Sequence, residues 1–128
     1  MKLAITGSRQ YVDYEELKQV LTNLAPEATT IITGGAKGAD SLAAKYAKEH
    51  NLSLIEIRPD YKNHMARIAP LLRNTTIVAK ADKVIAFYYK TQSGGTFDAV
   101  KKAKASGKLL AEVLNGKVIR HDNNLLLF

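Results

Sequence analysis

The segment Thr30-Ile31-Ile32-Thr33-Gly34-Gly35-Ala36-Lys37-Gly38-Ala39-Asp40 carries residue types suited to holding an anion. A β-branched run gives way to a glycine pair, a third glycine, and an acid where a helix opens. Glycines let a backbone turn sharply and approach a ligand closely. A helix N-terminus offers unpaired N–H groups and partial positive charge, which suits phosphate. Two further turns share this character: Gly7-Ser8-Arg9, with a hydroxyl and a guanidinium, and Ser93-Gly94-Gly95-Thr96. Arg73 and Asn74 lie inside an otherwise apolar helical segment, where a guanidinium fork can reach phosphate or ribose. The expected phosphate-binding set is Gly7, Ser8, Arg9, Gly34, Gly35, Ala36, Lys37, Gly38, Asp40, Arg73, Asn74, Ser93, Gly94, Gly95 and Thr96.

Each signal has a plainer explanation when taken alone. A glycine pair often marks only a tight turn, Thr96 suits a helix N-cap, and Asp40 suits a cap or a partner for the helix dipole. Arg73 more commonly pairs with a surface acid. The loop is not a Walker A motif, since no Gly-Lys-Ser/Thr follows at the required spacing. Nor is it a Rossmann fingerprint, because the first strand ends in Gly-Ser-Arg. For catalysis, Asp40 and Asp60 are the weak candidates, and Asp98 reads as the one acid in the first turn of the last helix. Tyr61, Tyr88 and Tyr89 are candidates for stacking on a base, although aromatics near strand ends usually pack.

Periodicity places these residues. The spacing predicts strands over 2–6, 29–33, 53–57, 82–88 and 109–114. Helices are expected over 13–25, 39–50 and 96–106, with Asp13 and Glu16 forming a capping box. Residues 64–80 read as helical, bent or divided by Pro70. Asn115-Gly116 is a two-residue hairpin signal, leading to an antiparallel extension over 114–128 with a further turn at Asp122-Asn123-Asn124. Alternating strands and helices imply an α/β fold, a Rossmann-like doubly wound parallel sheet with helices on both faces. Ligands bind such sheets at the C-terminal strand ends, where the strand order reverses. The three polar turns follow strands one, two and four, so topology brings them to that edge.

Composition narrows the rest. The chain of 128 residues reads as one domain, with 46% apolar and 24% charged residues. It has no cysteine, and its three histidines show no metal-ligand spacing, so no metal site and no required cofactor are expected. No signal peptide or membrane-length apolar run is evident, which points to a cytoplasmic protein with no membrane partner. The net charge of +7 admits nucleic acid or free nucleotides. Its lysines fall on expected helix surfaces, without an arginine stripe or aromatic platform, so nucleic acid is permitted and not indicated.

Together, several motifs resemble the SLOG superfamily, most closely its YspA-like branch. They are Gly7-Ser8-Arg9, the Gly34 to Asp40 loop, Pro59-Asp60-Tyr61, Pro70-Leu71-Leu72-Arg73-Asn74, and the run from Ala81 to Phe87 that leads to Ser93-Gly94-Gly95-Thr96. The resemblance covers residues 1–113. It implies a Rossmann-like fold and a ligand that is a nucleotide or derived from NAD or ADP-ribose. Superfamily relatives include LOG-type phosphoribohydrolases, DprA-like DNA-processing proteins and sensor domains of antiviral systems, and relatives often pair as homodimers. In LOG enzymes a Pro-Gly-Gly-x-Gly-Thr-x-x-Glu motif supplies phosphate-binding glycines and a catalytic glutamate. Aligning Gly95-Thr96 with it puts Ala99 at the glutamate, and Asn74 replaces the lysine of an Arg-Lys pair. Alanine cannot orient a ribose or activate water. The expectation is therefore a nucleotide binder, a sensor or a sponge for a nucleotide signal as in phage counter-defence. A nucleotide hydrolase of the N-glycosidase type is the first alternative, and a DprA-like single-stranded DNA binder the second.

Overall fold

A computed structural model describes residues 1–90 and 94–121. The order is β1 (Lys2–Gly7), α1 (Tyr14–Leu24), β2 (Thr30–Thr33), α2 (Ala39–Glu49), β3 (Ser53–Glu56), α3 (Ala69–Lys80), β4 (Lys83–Phe87), α4 (Gly94–Ala105), β5 (Leu109–Leu114) and β6 (Lys117–Arg120). The strands form one sheet in the order β3-β2-β1-β4-β5-β6. Strands β1 to β5 pair in parallel, and β6 returns antiparallel to β5. The chain winds outward from β1 to β3, then crosses back to β4 on the other side of β1. The strand order therefore reverses between β1 and β4, and the crevice of a doubly wound sheet opens there.

Apolar alternation along the strands sorts the core into two layers. Leu3, Ile5, Ile31, Phe87 and Val113 pack with α1 and α2 residues on one face. Ala4, Ile32, Val84 and Ala86 pack with Ile77, Val78, Val100 and Ala103 on the other. Each fully buried Leu, Ile or Phe contributes about 1.5–3 kcal/mol relative to exposure. Asn115 and Gly116 both take positive φ, 52° and 78°, which matches the twist of the β5–β6 hairpin.

Several sequence expectations are corrected. Residues 64–68 form a bend followed by a turn over 66–68, and helix α3 starts only at Ala69 with Pro70 in its first turn. A proline there lacks only an N–H that would be unpaired in any case, so Pro70 opens the helix instead of bending it. Helix α4 begins at Gly94, so Thr96 lies inside it and is not its N-cap, and Asp98 falls beyond the first turn. The capping box is half made. Asp13 accepts the Glu16 N–H at 3.0 Å, while the Glu16 carboxylate takes the Tyr11 hydroxyl at 2.6 Å. The expected turn and strand over 122–128 lie outside the described residues, as does Ser93.

Candidate functional site

The first turn is stitched to its neighbours through backbone groups. Ser8 N–H donates to the Phe87 carbonyl at 2.9 Å, and the Ser8 carbonyl accepts from Ala39 N–H at 3.1 Å. These bonds tie the end of β1 to the end of β4 and to the start of α2. Gly38, at φ 74°, passes so close that a Cβ would lie 2.2 Å from the Ser8 carbonyl oxygen. A glycine there closes one loop onto the other.

A cleft of about 480 Å³ opens beside this junction, at the switch point. Gly7, Ser8, Arg9, Gly34, Ala36, Asp40, Arg73, Asn74 and Thr96 line it, so residues from all three polar-turn regions and from α3 share one cavity. Thr6, Gln10, Pro70 and Ile77 also line it and were not anticipated. Pro70, Arg73, Asn74 and Ile77 follow the i, i+3, i+4, i+7 spacing of one helix face, a signal present in the sequence. Gly35, Lys37 and Gly38 do not line the cleft: Gly35 backs onto Arg58, and Lys37 is exposed. Asp60 is also outside it. This exposed carboxylate closes its own turn by accepting from Lys62 and Asn63 N–H. Tyr88 is buried with its hydroxyl on Glu112 at 2.6 Å, so it offers no stacking face.

The glycine loop is not an open cradle of amides. One oxygen of Asp40, Oδ2, accepts the N–H of Gly34 at 3.1 Å and of Ala36 at 3.2 Å. The Thr33 hydroxyl accepts the Gly35 N–H at 3.2 Å. Three of the amides expected to hold phosphate are thus already taken by side chains of the loop itself. Asp40 is also not a cap on α2, since its carboxylate reaches back to the loop. The residue is 7% exposed. Burial raises its pKa above the ordinary 3.8, opposed by the Ala36 and Gly34 hydrogen bonds and by the charge of Arg73.

The cationic arm of the cleft is Arg73. Its Nη1 donates to the Gly34 carbonyl at 2.9 Å and its Nε to Asn74 Oδ1 at 3.0 Å. A Cβ on Gly34 would sit 2.2 Å from Nη1, so glycine is what lets the guanidinium lie along the loop. Asn74 Nδ2 donates to Asp98 Oδ2 at 3.1 Å, and Lys102 Nζ pairs with that same oxygen at 2.9 Å while donating to the Leu71 carbonyl at 2.7 Å. Burial lowers the Arg73 pKa, Asp40 opposes the shift, and Arg9 adds to it. Two arginines therefore face one cavity against a single acid whose ionisation burial disfavours. Such a balance attracts an anion. Ala99 is 3% exposed and does not line the cleft. Among the described residues no group of three or more His, Cys, Asp or Glu is placed to hold a metal. No helix among them is long and apolar enough to cross a membrane.

A six-stranded, mostly parallel sheet with its cleft at the β1–β4 reversal defines a Rossmann-like protein. The chain belongs to the YspA, cpYpsA-related SLOG family, which matches residues 1–64. No curated protein matches it. Among solved structures it is similar to DNA processing protein A from Helicobacter pylori, described for its single-stranded DNA binding mode. That likeness has a TM-score of 0.67 and 22% identity over 99% of this chain and 71% of the other. It is also similar to DprA from Streptococcus pneumoniae, with a TM-score of 0.66 and 19% identity over 84% of this chain and 48% of the other. The structure of TM1055 matches at a TM-score of 0.59 and 20% identity, over 84% of this chain and 71% of that one. The chain thus spans about half the length of the Streptococcus protein, and at these identities the likeness is one of fold.

Proposed function

We propose that this chain binds a phosphate-bearing nucleotide, or a ligand derived from NAD or ADP-ribose, in the β1–β4 cleft. On this reading it is a sensor or a sequestering protein and not a hydrolase. The observation that carries the proposal is Arg73. The guanidinium is held by the Gly34 carbonyl and by Asn74 through Nη1 and Nε, and its Nη2 has no partner among the described residues. A charged donor fixed on one side and uncommitted on the other is preorganised for an anionic oxygen. Arg9 supplies a second charge from the opposite turn, and the cavity volume falls in the range of small-molecule sites. Phosphate contact is assigned to these side chains, because Asp40 and Thr33 already occupy the Gly34, Gly35 and Ala36 amides.

Binding is favoured over glycosidic cleavage because Ala99 stands buried where the LOG glutamate aligns. Asp40, the carboxylate lining the cleft, is committed to two amides. The test is native mass spectrometry of protein purified from cells, followed by calorimetric titration with AMP, ADP-ribose and NAD. Saturable binding of one of these, lost in Arg73→Gln, supports the reading. Release of free base from any of them would make the protein an N-glycosidase instead. The DprA likeness and the net charge of +7 favour single-stranded DNA as the second reading. Oligonucleotide binding that weakens linearly in log salt would support it, and its absence near 150 mM salt would remove it.

A further inference from the structure

Asp40 has an oxygen that the glycine loop does not use. Both of its amide bonds, from Gly34 and Ala36, end on Oδ2. Oδ1 accepts nothing from the described residues. Among those residues, no side-chain nitrogen or oxygen that is sealed from solvent lacks a hydrogen-bond partner. Oδ1 therefore keeps contact with open space, although the residue as a whole is buried. The open space that Asp40 lines is the β1–β4 cleft. A ligand that fills the cleft strips water from this oxygen, and the loss is offset only if the ligand brings a donor to it.

The neighbour of that oxygen decides what the donor is attached to. A Cβ on Gly34 would lie 2.2 Å from Arg73 Nη1 and 3.1 Å from Asp40 Oδ2, so guanidinium and carboxylate flank one point of the loop. Each feels the charge of the other, yet Arg73 bonds Gly34 and Asn74 and forms no ion pair with the acid. The cleft thus presents a free donor, Nη2, beside a free acceptor, Oδ1. A phosphate alone suits only the first. Its oxygens accept from Arg73 and are repelled by the carboxylate. A metal ion suits only the second, and Asp40 is the one acid among the described residues lining the cleft, too few ligands for a hard cation. An anion with a hydroxyl a few bonds away suits both. The sugar phosphate of a ribonucleotide is such a group.

Building on the nucleotide reading above, we infer that Asp40 Oδ1 accepts a ribose hydroxyl of the ligand and makes the cleft selective for ribonucleotides over their deoxy counterparts. The two amide bonds that fix Oδ2 also fix Oδ1, so the acceptor is in place before the ligand arrives. A DNA strand has no 2′-hydroxyl, and its internal 3′ oxygens are esterified. In this cleft it would leave Oδ1 unmet among phosphates, so the same atom favours a free ribonucleotide over the strand.

Calorimetric titration of AMP, 2′-deoxy-AMP and 3′-deoxy-AMP into the wild type, Asp40→Asn and Arg73→Gln tests the inference. In Asp40→Asn the side-chain carbonyl keeps the two loop amides and the NH2 group takes the place of Oδ1. A charged acceptor becomes a neutral donor while the loop stays bonded. The wild type is expected to bind AMP at least about tenfold more tightly than one of the deoxy analogues, the scale of a hydrogen bond to a charged group. In Asp40→Asn that ratio falls toward one, chiefly through weaker AMP binding. Arg73→Gln weakens all three nucleotides and keeps the ratio, which separates the hydroxyl contact from the phosphate contact. Equal affinity for the three in the wild type, or a preference that survives Asp40→Asn, overturns the inference and leaves the nucleotide reading standing. No binding of any of the three, with ADP-ribose and NAD also silent, overturns both.

Discussion

Arg73 Nη1 donates to the Gly34 carbonyl at 2.9 Å, joining α3 to a loop that lies 39 positions earlier in the chain. The contact exists because residue 34 has no side chain. A Cβ there would lie 2.2 Å from the nitrogen, with Asp40 Oδ2 a further neighbour at 3.1 Å. Gly34→Ala and Arg73→Gln should therefore share a phenotype. Each is expected to weaken binding of the cognate nucleotide about tenfold or more, the scale of one charge-assisted bond. Arg73→Lys should not rescue, because an ammonium cannot reproduce a fork that bonds Gly34 and Asn74 together. Calorimetric titration of the three variants checks this, and wild-type affinity in Gly34→Ala would contradict it.

Asp40 serves the loop before it serves any ligand. Both amide bonds end on Oδ2, so the single carbonyl oxygen of asparagine can accept both. Asp40→Asn is expected to fold with stability near that of the wild type. Asp40→Ala leaves two amides unpaired and should cost about 1–3 kcal/mol or more. The pH dependence has a definite sign. Burial raises the Asp40 pKa, so the folded state holds its proton more tightly than the unfolded chain does. The contribution is complete below the ordinary 3.8 and is lost as pH rises through the raised folded value. Urea unfolding from pH 4 upward should show the wild type losing ground to Asp40→Asn over that window. A gain instead would reverse the assignment.

Much of this architecture was legible from local pattern. The run Leu109–Leu114 and the Asn-Gly turn after it carry their own signals, and alternating strands and helices led to a doubly wound parallel sheet, while the reversal between β1 and β4 is shown only by the fold. The start of α3 was misplaced because residues 65–68 continue an apolar pattern but form only an isolated turn, in which the Ile68 and Ala69 N–H groups both donate to the Met65 carbonyl at 2.9 Å. The site was legible as a neighbourhood and not as a mechanism. Glycines 34, 35 and 38 read as phosphate ligands because their amides looked free. Only the folded loop shows Asp40 turned back onto residues four and six positions earlier. The bond from Asn74 to Asp98 spans 24 positions and leaves no periodic trace.

That long-range bond makes Asp98 a positioning residue for the cleft. It holds Asn74, which holds Arg73, and Lys102 anchors it in turn. Asp98→Ala is expected to weaken nucleotide binding several-fold while thermal melting changes little, since the Asp98–Lys102 pair is only partly buried and such pairs contribute about 0–1 kcal/mol. Lys102→Ala should weaken binding less, because Asp98 and Asn74 remain bonded. Equal affinity in Asp98→Ala and wild type would show that Arg73 is held without the relay.

Restoring the missing acid tests the absence of hydrolysis directly. Ala99 is 3% exposed on the buried side of α4, and its neighbours Val100 and Ala103 belong to the core beneath that helix. A glutamate at this position enters a buried site one turn from Thr96, which lines the cleft. Burying an unpaired carboxylate is severely unfavourable, and the group answers by holding its proton or forcing the helix outward. Ala99→Glu is therefore expected to lower stability by more than about 3 kcal/mol and to release no base from AMP. Chromatographic product analysis beside a denaturant titration reads both outcomes. A stable Ala99→Glu that cleaves AMP would mean that position 99 opens onto the ligand, and that the present chain lacks only one carboxylate for catalysis.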